Sequence, residues 1–516
     1  MNLFVTKFRD SITGILKTFD RMLFRGTLLN LVTVEGLRCY LNVLGIPRSR
    51  WGDHLKAMGD QVETRALATA KLLGVDTPFV GSSDIRKEDL VREIARKKGI
   101  TQGPIVLLRA KETGKSYRVV HNKTADRVFL ADIRNPHLHL YFYGINPTFG
   151  LMHVRLQTWF PFNIQVCMNG HEYLACEMQK AGVEYVKQDN RFTHIADFDK
   201  AQELADGLLK LQWEKELTAF SEAVNPALPE VLGRFRSSYY WSLLQSEYST
   251  DIQFRSPEKL NEIYEPLLHH AITGLGCPDV LRFLGKKPHG NLQAPVQVSF
   301  KDRPEGIRIR HSLGFNSVKG YNGAPGHFRI ETTINDTSAF KVFRHKQGDP
   351  EGEKAWRGMR QGVADIAARA KVSEACNERY LDALAGADTT TPLGQLVETV
   401  VTPIRWKGKR MRGLRPFDAQ DLKLVEEVLR GEYTGIGFRN SDLRKGLFKG
   451  EASTPEERRR RSAKVTYLIR LLRAHGAVRK TPRIHRYRVT PTGRASLTAM
   501  LRVQGVTLQA LDEAVA

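Results

Sequence analysis

The sequence predicts an α+β fold with a mainly helical amino-terminal region, a β-rich centre that also contains helices, and a compact basic module at the end. Three observations lead to this prediction. Apolar residues recur at helical spacing in the first hundred residues, and short β-rich runs separated by turn residues follow from about residue 104. Positive charge is concentrated after residue 400. At 516 residues, the chain is long enough for two to four domains with hydrophobic cores.

Composition excludes several classes of protein. With 41% hydrophobic and 9% aromatic residues, the chain is not of the disordered type. The most apolar early run, Gly14–Val34, is interrupted by charged residues, so no membrane span is expected. The first residues lack the basic-then-apolar order of a secretory signal, which favours a cytoplasmic protein. The five scattered cysteines predict neither a disulfide framework nor a zinc ribbon.

The first two predicted domains cover residues 1–103 and 104–225. The first is mainly helical, with amphipathic patterns at Val34–Leu44 and Asp84–Lys98. The second is an α+β domain that begins with short strands. Its two predicted helices are His171–Gly182 and Asp199–Val224.

The predicted third domain covers residues 226–387 and is also α+β. Residues 230–285 are expected to be helical, and a second cluster of strands is expected between Val296 and Ile334. Two further helices are predicted at Glu351–Lys371 and Ser373–Ala385. Residues 388–416, which are basic and contain glycine, are predicted to be a linker.

The final module, residues 417–516, has the most specific pattern. Residues 401–516 hold 26 Lys and Arg against 11 Asp and Glu, so about two thirds of the net charge of +23 lies there. Three helices are predicted, the third beginning at Thr454-Pro455 with Glu457 at the third helical position and ending at Gly476. Two short strands and a last helix from Pro491 complete the order.

This order of elements, over about residues 417–505, resembles the winged helix-turn-helix of MarR-like regulator domains. The resemblance implies that the third helix enters the DNA major groove and that the hairpin, or wing, contacts the backbone or the minor groove. The charges agree with it, because arginines occupy the first turns of the third helix and flank the hairpin turn. The predicted DNA-binding residues are Arg458, Arg459, Arg460, Arg461, Lys464, Tyr467, Arg479, Lys480, Arg483, Arg486 and Arg488, with Arg461, Lys464 and Tyr467 expected to read bases. Linker contacts to phosphate are predicted for Arg405, Lys407, Lys409, Arg410, Arg412 and Arg415.

The rest of the chain lacks the common signatures of nucleotide-driven motors and hydrolases, such as the P-loop and the His-Glu-x-x-His motif. Its His137-Leu138-His139 run resembles the metal-binding strand of the HUH endonucleases of rolling-circle replication. That resemblance implies a divalent metal on His137 and His139 and a tyrosine nucleophile, for which Tyr173 and Tyr185 are the downstream candidates. Neither tyrosine stands in the family's Tyr-x-x-Lys pattern, and packed strand histidines are the simpler interpretation.

A second segment, from Lys319 to Ile334, weakly resembles the catalytic region of plasmid and filamentous-phage replication initiators. The resemblance implies Tyr321 as nucleophile and Glu331 as a metal ligand, although Gly323 stands where those proteins have lysine. Independently, Asp20 could join Glu331 and Asp365 in a set similar to that of RNase H-like enzymes. If either nuclease hypothesis holds, the cofactor is Mg²⁺ or Mn²⁺; otherwise the sequence identifies no cofactor.

The sequence therefore predicts a protein that binds duplex DNA, either a bacterial regulator or a protein of a mobile element, with no membrane partner. Two alternatives stay open. One is a metal-dependent tyrosine endonuclease or replication initiator. The other is an RNA-binding protein, because backbone charge does not distinguish the two polymers.

Overall fold

The structure is a computed structural model of the chain. It describes residues 3–81, 86–122, 127–273, 275, 280, 283–284, 296–301, 308–338, 340–346, 349, 351–385, 393–429, 437–448, 450, 452–481 and 485–505. Helices and antiparallel sheets make the fold α+β, as predicted. In the described part, every helix is too short or too polar to cross a membrane.

The elements are as follows. The strands are β1 Ile12–Leu28, β2 Gly103–Asn122, β3 Arg127–Asn146, β4 Gly150–Gln157, β5 Ile164–Asn169, β6 Tyr185–Gln188, β7 Arg191–Ile195, β8 Tyr239–Phe254, β9 Val296–Lys301, β10 Arg308–Leu313, β11 Asn316–Ala324, β12 His327–Ile334, β13 Lys341–Arg344, β14 Ala355–Gly358, β15 Ile404–Trp406, β16 Lys409–Met411, β17 Val478–Lys480 and β18 Tyr487–Val489. The helices are α1 Leu3–Lys7, α2 Val34–Val43, α3 Trp51–Leu72, α4 Lys87–Lys98, α5 Gly170–Lys180, α6 Phe198–Gly207, α7 Trp213–Val224, α8 Leu228–Leu232, α9 Pro257–Thr273, α10 Ile366–Ala385, α11 Leu393–Val401, α12 Ala419–Val428, α13 Asn440–Leu447, α14 Pro455–Ala474 and α15 Pro491–Gly505.

The chain divides into two compact units, each built from separate stretches. The sheet unit contains residues 14–251 and 331–374, and the terminal unit contains residues 1–13, 252–330 and 375–516. The strand β12 contributes residues 331–334 to the sheet unit and 327–330 to the terminal unit.

The sheet unit is organised around the long strand β1. Its strands lie in the order β2-β3-β4-β5-β1-β8, followed by residues 331–334 of β12. One side of β1 is buried at every second residue from Leu16 to Phe24, which is the pattern of a strand with one face against a core. On that face, Phe24 stacks against Trp213 of α7 with ring centroids 4.8 Å apart.

Two stretches predicted as helical contain strands instead. Residues 12–28 form β1 within the region expected to be mainly helical, and residues 239–254 form β8 within the helical prediction for 230–285. Both are rich in aromatic, β-branched and hydroxyl residues, and burial in a sheet outweighs their weak helical periodicity. The helix predicted over Glu351–Lys371 begins only at Ile366, after the short strand β14.

In the terminal unit, the predicted second strand cluster is present as β9 to β11 with residues 327–330 of β12. The module at the end of the chain contains α12, α13, α14, the β17–β18 hairpin and α15, in the predicted order. Its core is formed by residues from each of these helices, including Leu422, Leu443, Val465, Ile469 and Leu497.

The segment predicted as a linker is folded where the structure describes it. Residues 393–401 form α11, and β15 and β16 pair as a hairpin. Val400, Met411 and Leu414 from this segment belong to the same hydrophobic core as α12 to α15. The boundary expected at residue 416 is therefore internal to a larger module, residues 393–505, which we call the C-terminal module.

Candidate nucleic-acid interface and candidate metal centre

The orientation of helix α14 in the C-terminal module is fixed by its cap and by its buried face. Thr454 Oγ1 accepts the backbone N–H of Glu457 at 3.2 Å, and Pro455 occupies the first helical position. Val465, Ile469 and Leu472 are buried. The opposite face of the helix therefore points into solvent.

The first two turns of this helix carry three consecutive arginines. Arg458, Arg459 and Arg460 are exposed, and within the described part of the chain none of their side chains forms a hydrogen bond or an ion pair. Lys464 and Tyr467 are also exposed, with Lys464 Nζ donating to Gln420 Oε1 at 3.1 Å. Positive charge that no described carboxylate neutralises is available for an anionic partner.

Arg461 differs from its three neighbours. Its guanidinium lies 2.6 Å from Glu457, donates to the Gly450 carbonyl at 2.9 Å and covers the Phe448 ring at 5.1 Å. Hydrogen bonds from Ser453 and from Arg461 lower the pKa of Glu457 to about 2. Arg461 thus ties the start of α14 to the end of α13, although the sequence predicts that it reads bases.

The β17–β18 hairpin presents further cations. Arg479 and Lys480 are exposed, whereas Arg486 Nη1 donates to the Gly437 carbonyl at 2.9 Å and Arg488 is half-buried. Arg483, also predicted to bind DNA, lies outside the described residues.

The β15–β16 hairpin adds four exposed cations. They are Arg405, Lys407, Lys409 and Arg410, all of which were predicted to contact phosphate. Arg415 is exposed as well. Arg412 is engaged inside the protein instead, because it forms an ion pair with the buried carboxylate of Asp421 at 2.6 Å.

A different kind of site lies in the sheet unit, where three carboxylates converge. Asp20 on β1, Glu247 on β8 and Glu331 on β12 each offer an oxygen, and these three oxygens lie within 4.8 Å of one another. Asp20 is 5% exposed and Glu331 is fully buried, whereas Glu247 is half-buried. Among the described residues, no other three His, Cys, Asp or Glu side chains come this close together.

Polar groups from the start of α5 and from the turn between β6 and β7 contact Asp20. Asn169, which caps α5 by accepting the N–H of His171 at 2.7 Å, donates its side-chain amide to Asp20 Oδ1 at 3.1 Å. Asn190 donates to the same oxygen at 2.6 Å. His171 lies between two carboxylates, with Nδ1 3.8 Å from Asp20 and Nε2 3.0 Å from Asp251.

Three carboxylates at this separation and burial repel one another, and a cation between them removes that repulsion. Carboxylate oxygens are the preferred ligands of hard divalent ions such as Mg²⁺ and Mn²⁺. A second feature of the site, which does not depend on the carboxylates, also points to a ligand. Thr18 Oγ1 is buried, has no hydrogen-bond partner among the described residues, and belongs to the face of β1 that carries Asp20.

A cavity of about 250 Å³ leads to two of the carboxylates. Asp20 and Glu247 line it together with Arg21, Asn169 and Asn190. A ligand in this cavity would therefore meet a guanidinium beside the acids, which is the combination that a phosphate group and its metal ion require.

Comparisons with protein-family models, curated proteins and solved structures find no match to this chain. The function is therefore inferred from these two sites alone.

The two histidines expected to bind metal lie on β3, away from this cluster. His139 is buried, and its Nδ1 lies 3.0 Å from the carbonyl oxygen of His137. The His137 ring stacks on Trp159 at 5.4 Å, with the two planes 3° from parallel. Within the described residues, no further His, Cys, Asp or Glu completes a three-ligand group with them. Burial first, and the positive charge of Arg155 second, lower the pKa of His139 to about 4.

The three candidate tyrosines occupy separate places. Tyr173 of α5 is buried against Phe149, and burial raises the pKa of its hydroxyl to about 12. Tyr185 packs edge-on against Phe192 in the β6–β7 ribbon. Tyr321 is a buried residue of β11 in the terminal unit. For Tyr173 and Tyr185, the described contacts are those of core packing.

Of the candidate metal ligands, Glu331 is part of the carboxylate cluster, and so is Asp20 from the alternative set. Asp365 is not, because Arg360 donates to it through both the side chain, at 2.8 Å, and the backbone, at 2.9 Å. Glu247 was missed because its segment was predicted to be helical. The available signal was the strand-like composition of Tyr239–Phe254, with its aromatic and β-branched residues.

Proposed function

We propose that this protein binds duplex DNA through its C-terminal module, with α14 in the major groove and the β17–β18 hairpin on the backbone. The observation that carries the proposal is the set of three exposed arginines at the start of α14, Arg458 to Arg460, which form no ion pair with any described residue. A helix presented by its amino-terminal turns is the usual reading element of a helix-turn-helix. The hairpin cations Arg479 and Lys480 lie next in sequence order and add phosphate contacts.

The test uses the full-length protein and a fluorescent 25-base-pair duplex, with affinity measured over a range of salt concentrations. Replacing Arg458, Arg459 and Arg460 together by Ala should weaken binding and reduce the slope of log K against log salt by about 2 to 3, since each lost phosphate contact lowers it by about 0.9. Equal binding by this triple variant and the wild type refutes the proposal.

The matched control removes the same charge elsewhere. Arg38, Arg50 and Arg96 are exposed residues of the sheet unit, and their triple replacement by Ala should leave the salt slope unchanged. If the control loses as much affinity as the α14 variant, attraction by net charge alone explains the binding. Competition by duplex RNA of the same sequence distinguishes the RNA-binding alternative.

A second candidate function rests on the carboxylate cluster. We infer that Asp20, Glu247 and Glu331 bind Mg²⁺ or Mn²⁺ and that the bound ion promotes cleavage of a phosphodiester bond. The support is the close approach of the three oxygens, the buried Thr18 hydroxyl on the same strand face, and the adjoining cavity with Arg21. A bound metal polarises phosphate oxygens and lowers the pKa of a coordinated water.

Mn²⁺ binding followed by electron paramagnetic resonance tests the metal site without reference to activity. Glu331→Gln should weaken Mn²⁺ binding at least 10-fold, whereas Glu222→Gln on the exposed side of α7 should not. Nicking of supercoiled plasmid should require the same ion and leave no covalent protein–DNA adduct. A covalent adduct would favour the tyrosine hypothesis, and wild-type Mn²⁺ affinity in Glu331→Gln would reject this site.

A further inference from the structure

The opposite face of β1 carries a set of arginines, of which the proposed metal site uses only Arg21. In the sheet register, Arg25 of β1 and Arg155 of β4 both lie opposite Gln165 of β5, so all three side chains share one face. Arg21 precedes Arg25 by four residues on β1, so its side chain lies on the same face. We call Arg21, Arg25 and Arg155 the arginine face.

A cavity of about 550 Å³ lies between this face and the first turn of α4. Arg21 and Arg155 line this cavity together with Lys87, Tyr141 and Gln165, and Arg25 lies next to it, opposite Gln165 in the strand register. Lys87 Nζ lies 4.2 Å from the centre of the Tyr141 ring, which it covers. Because Tyr141 is also buried, the cavity offers cations and not an open aromatic surface.

Among the described residues, carboxylates neutralise only part of this positive charge. The Glu112 carboxylate accepts hydrogen bonds from Lys87 at 2.8 Å, from Arg155 at 2.7 Å and from the hydroxyl of Tyr141. Glu88 and Asp89 in the first turn of α4 add two carboxylates at the rim, where the helix amides offset part of their charge.

Arg25 differs from the other cations of this face in having no hydrogen-bond or ion-pair partner among the described residues. It is half-buried, and its Nε is shielded from solvent. Burial first, and then the positive charge of Arg155, lower its pKa. A half-buried guanidinium beside another one is unfavourable in the free protein and becomes favourable when an anion binds between them.

The spacing of the cations indicates an extended anion. Arg25 and Arg155 are two strands apart, about 10 Å, and Arg21 is four residues from Arg25 along β1, about 13 Å. These are backbone spacings, and they distribute the three arginines over an area wider than one phosphate group. The cavity is of the size that takes a few nucleotides of one strand, and it is too small for a duplex.

This cavity also adjoins the carboxylate cavity. The two share Arg21, Glu88, Tyr143 and His153 as lining residues. A strand that follows the arginine face would therefore continue into the cavity that Asp20 and Glu247 line.

We propose that the arginine face binds the phosphate backbone of a single-stranded nucleic acid, at a site separate from the C-terminal module. The binding is sequence-tolerant and salt-dependent, because it depends on guanidinium–phosphate contacts. It requires neither the duplex-binding function nor the metal, and it assigns to the sheet unit a ligand of the width of one strand.

The test measures anisotropy of fluorescein-labelled (dT)12 in EDTA, with the full-length protein carrying Ala at positions 458, 459 and 460 so that the C-terminal module contributes little. Arg25→Gln in this background should weaken binding about 5- to 10-fold, and Arg25→Lys should retain most of it. Arg38→Gln is the matched control and should bind as the parent does.

A structural role is excluded by the melting temperature, since Arg25→Gln removes no bond of the described protein and should melt at or above the parent temperature. Unchanged (dT)12 affinity in Arg25→Gln overturns the proposal. So does full competition by millimolar inorganic phosphate, which would identify a small-anion site. Duplex titrations of the original triple variant report separately on the C-terminal module, so the two proposals fail independently.

Discussion

Arg412 and Asp421 are joined by two hydrogen bonds, with Nη1 2.6 Å from Oδ2 and Nη2 2.7 Å from Oδ1. Asp421 also accepts the backbone N–H of Arg415 at 2.9 Å. The carboxylate is 2% exposed. Through this pair, the end of the β15–β16 hairpin is attached to the first turn of α12, which makes Arg412 a stabilising residue of the C-terminal module.

The first prediction follows from this pair. Arg412→Ala leaves Asp421 buried without its cation and should lower the free energy of unfolding by about 2 kcal/mol, discounted for the partial exposure of the arginine. Chemical denaturation of the full chain measures it. Arg410→Ala, on the exposed side of the same hairpin, should leave stability within about 0.5 kcal/mol and weaken duplex binding instead. If Arg412→Ala instead weakened duplex binding and left stability unchanged, Arg412 would belong to the DNA interface.

The second prediction concerns pH and Asp421. Burial alone would raise its pKa, but the hydrogen bonds from Arg412 and from the Arg415 amide outweigh burial and lower it. A carboxylate whose folded pKa is depressed adds stability above its unfolded pKa, and this stability is lost as pH falls through the folded value. The denaturant concentration at the unfolding midpoint of the wild type should therefore decrease as the pH is lowered below about 4. The decrease should be smaller in Asp421→Asn.

The third prediction concerns His139, whose folded pKa is lowered from 6.5 to about 4. The unfolded chain takes up a proton at this position before the folded chain does, so stability falls as pH decreases from about 6.5 to 4. The loss attributable to this residue is roughly 2 to 3 kcal/mol. In His139→Gln, the slope of unfolding free energy against pH over this interval should be smaller; an identical slope would contradict burial of a neutral imidazole.

The fourth prediction separates Arg461 from the arginines before it. Arg461→Ala breaks the ion pair with Glu457 and the contact with Phe448, so it should lower the melting temperature of the C-terminal module. Arg460→Ala should leave that temperature unchanged, because its side chain has no partner in the described structure, and should reduce the salt slope by about 1. Calorimetry and anisotropy on the same samples decide between these roles.

A fifth prediction uses metal-linked stability. At Mn²⁺ concentrations about 100 times the dissociation constant, a bound ion stabilises the folded protein by about 2.7 kcal/mol. Thermal denaturation of the wild type should therefore shift upward with Mn²⁺, and Glu247→Gln should shift less. The corresponding shift in Asp365→Asn should match the wild type in size, since Asp365 is held by Arg360 outside the cluster.

The sequence predicted the C-terminal module well because its signals are local. Thr454 and Pro455 start α14, and Gly476, with a φ of +67°, ends it, so each boundary is specified by neighbouring residues. The partners of those helices, α11 and the β15–β16 hairpin, were missed because a short basic segment resembles a linker until it is packed.

The carboxylate cluster was only partly predictable. Asp20 and Glu331 were recognised as candidate ligands, but the third member, Glu247, depends on β8 lying next to β1. Strand adjacency between residues so far apart in the chain is a tertiary property, and no local pattern encodes it. For the same reason, the shared face of Arg25 and Arg155 became visible only with the strand register.

The three carboxylates come from positions spread over more than 300 residues. Translation at 5 to 20 residues per second separates the synthesis of Asp20 from that of Glu331 by about 15 to 60 s. Throughout this interval the cluster is incomplete, because Glu331 is the last of its three carboxylates to be synthesised. Any metal chemistry of the cluster is therefore withheld from the nascent protein and begins only after residue 331 has left the ribosome.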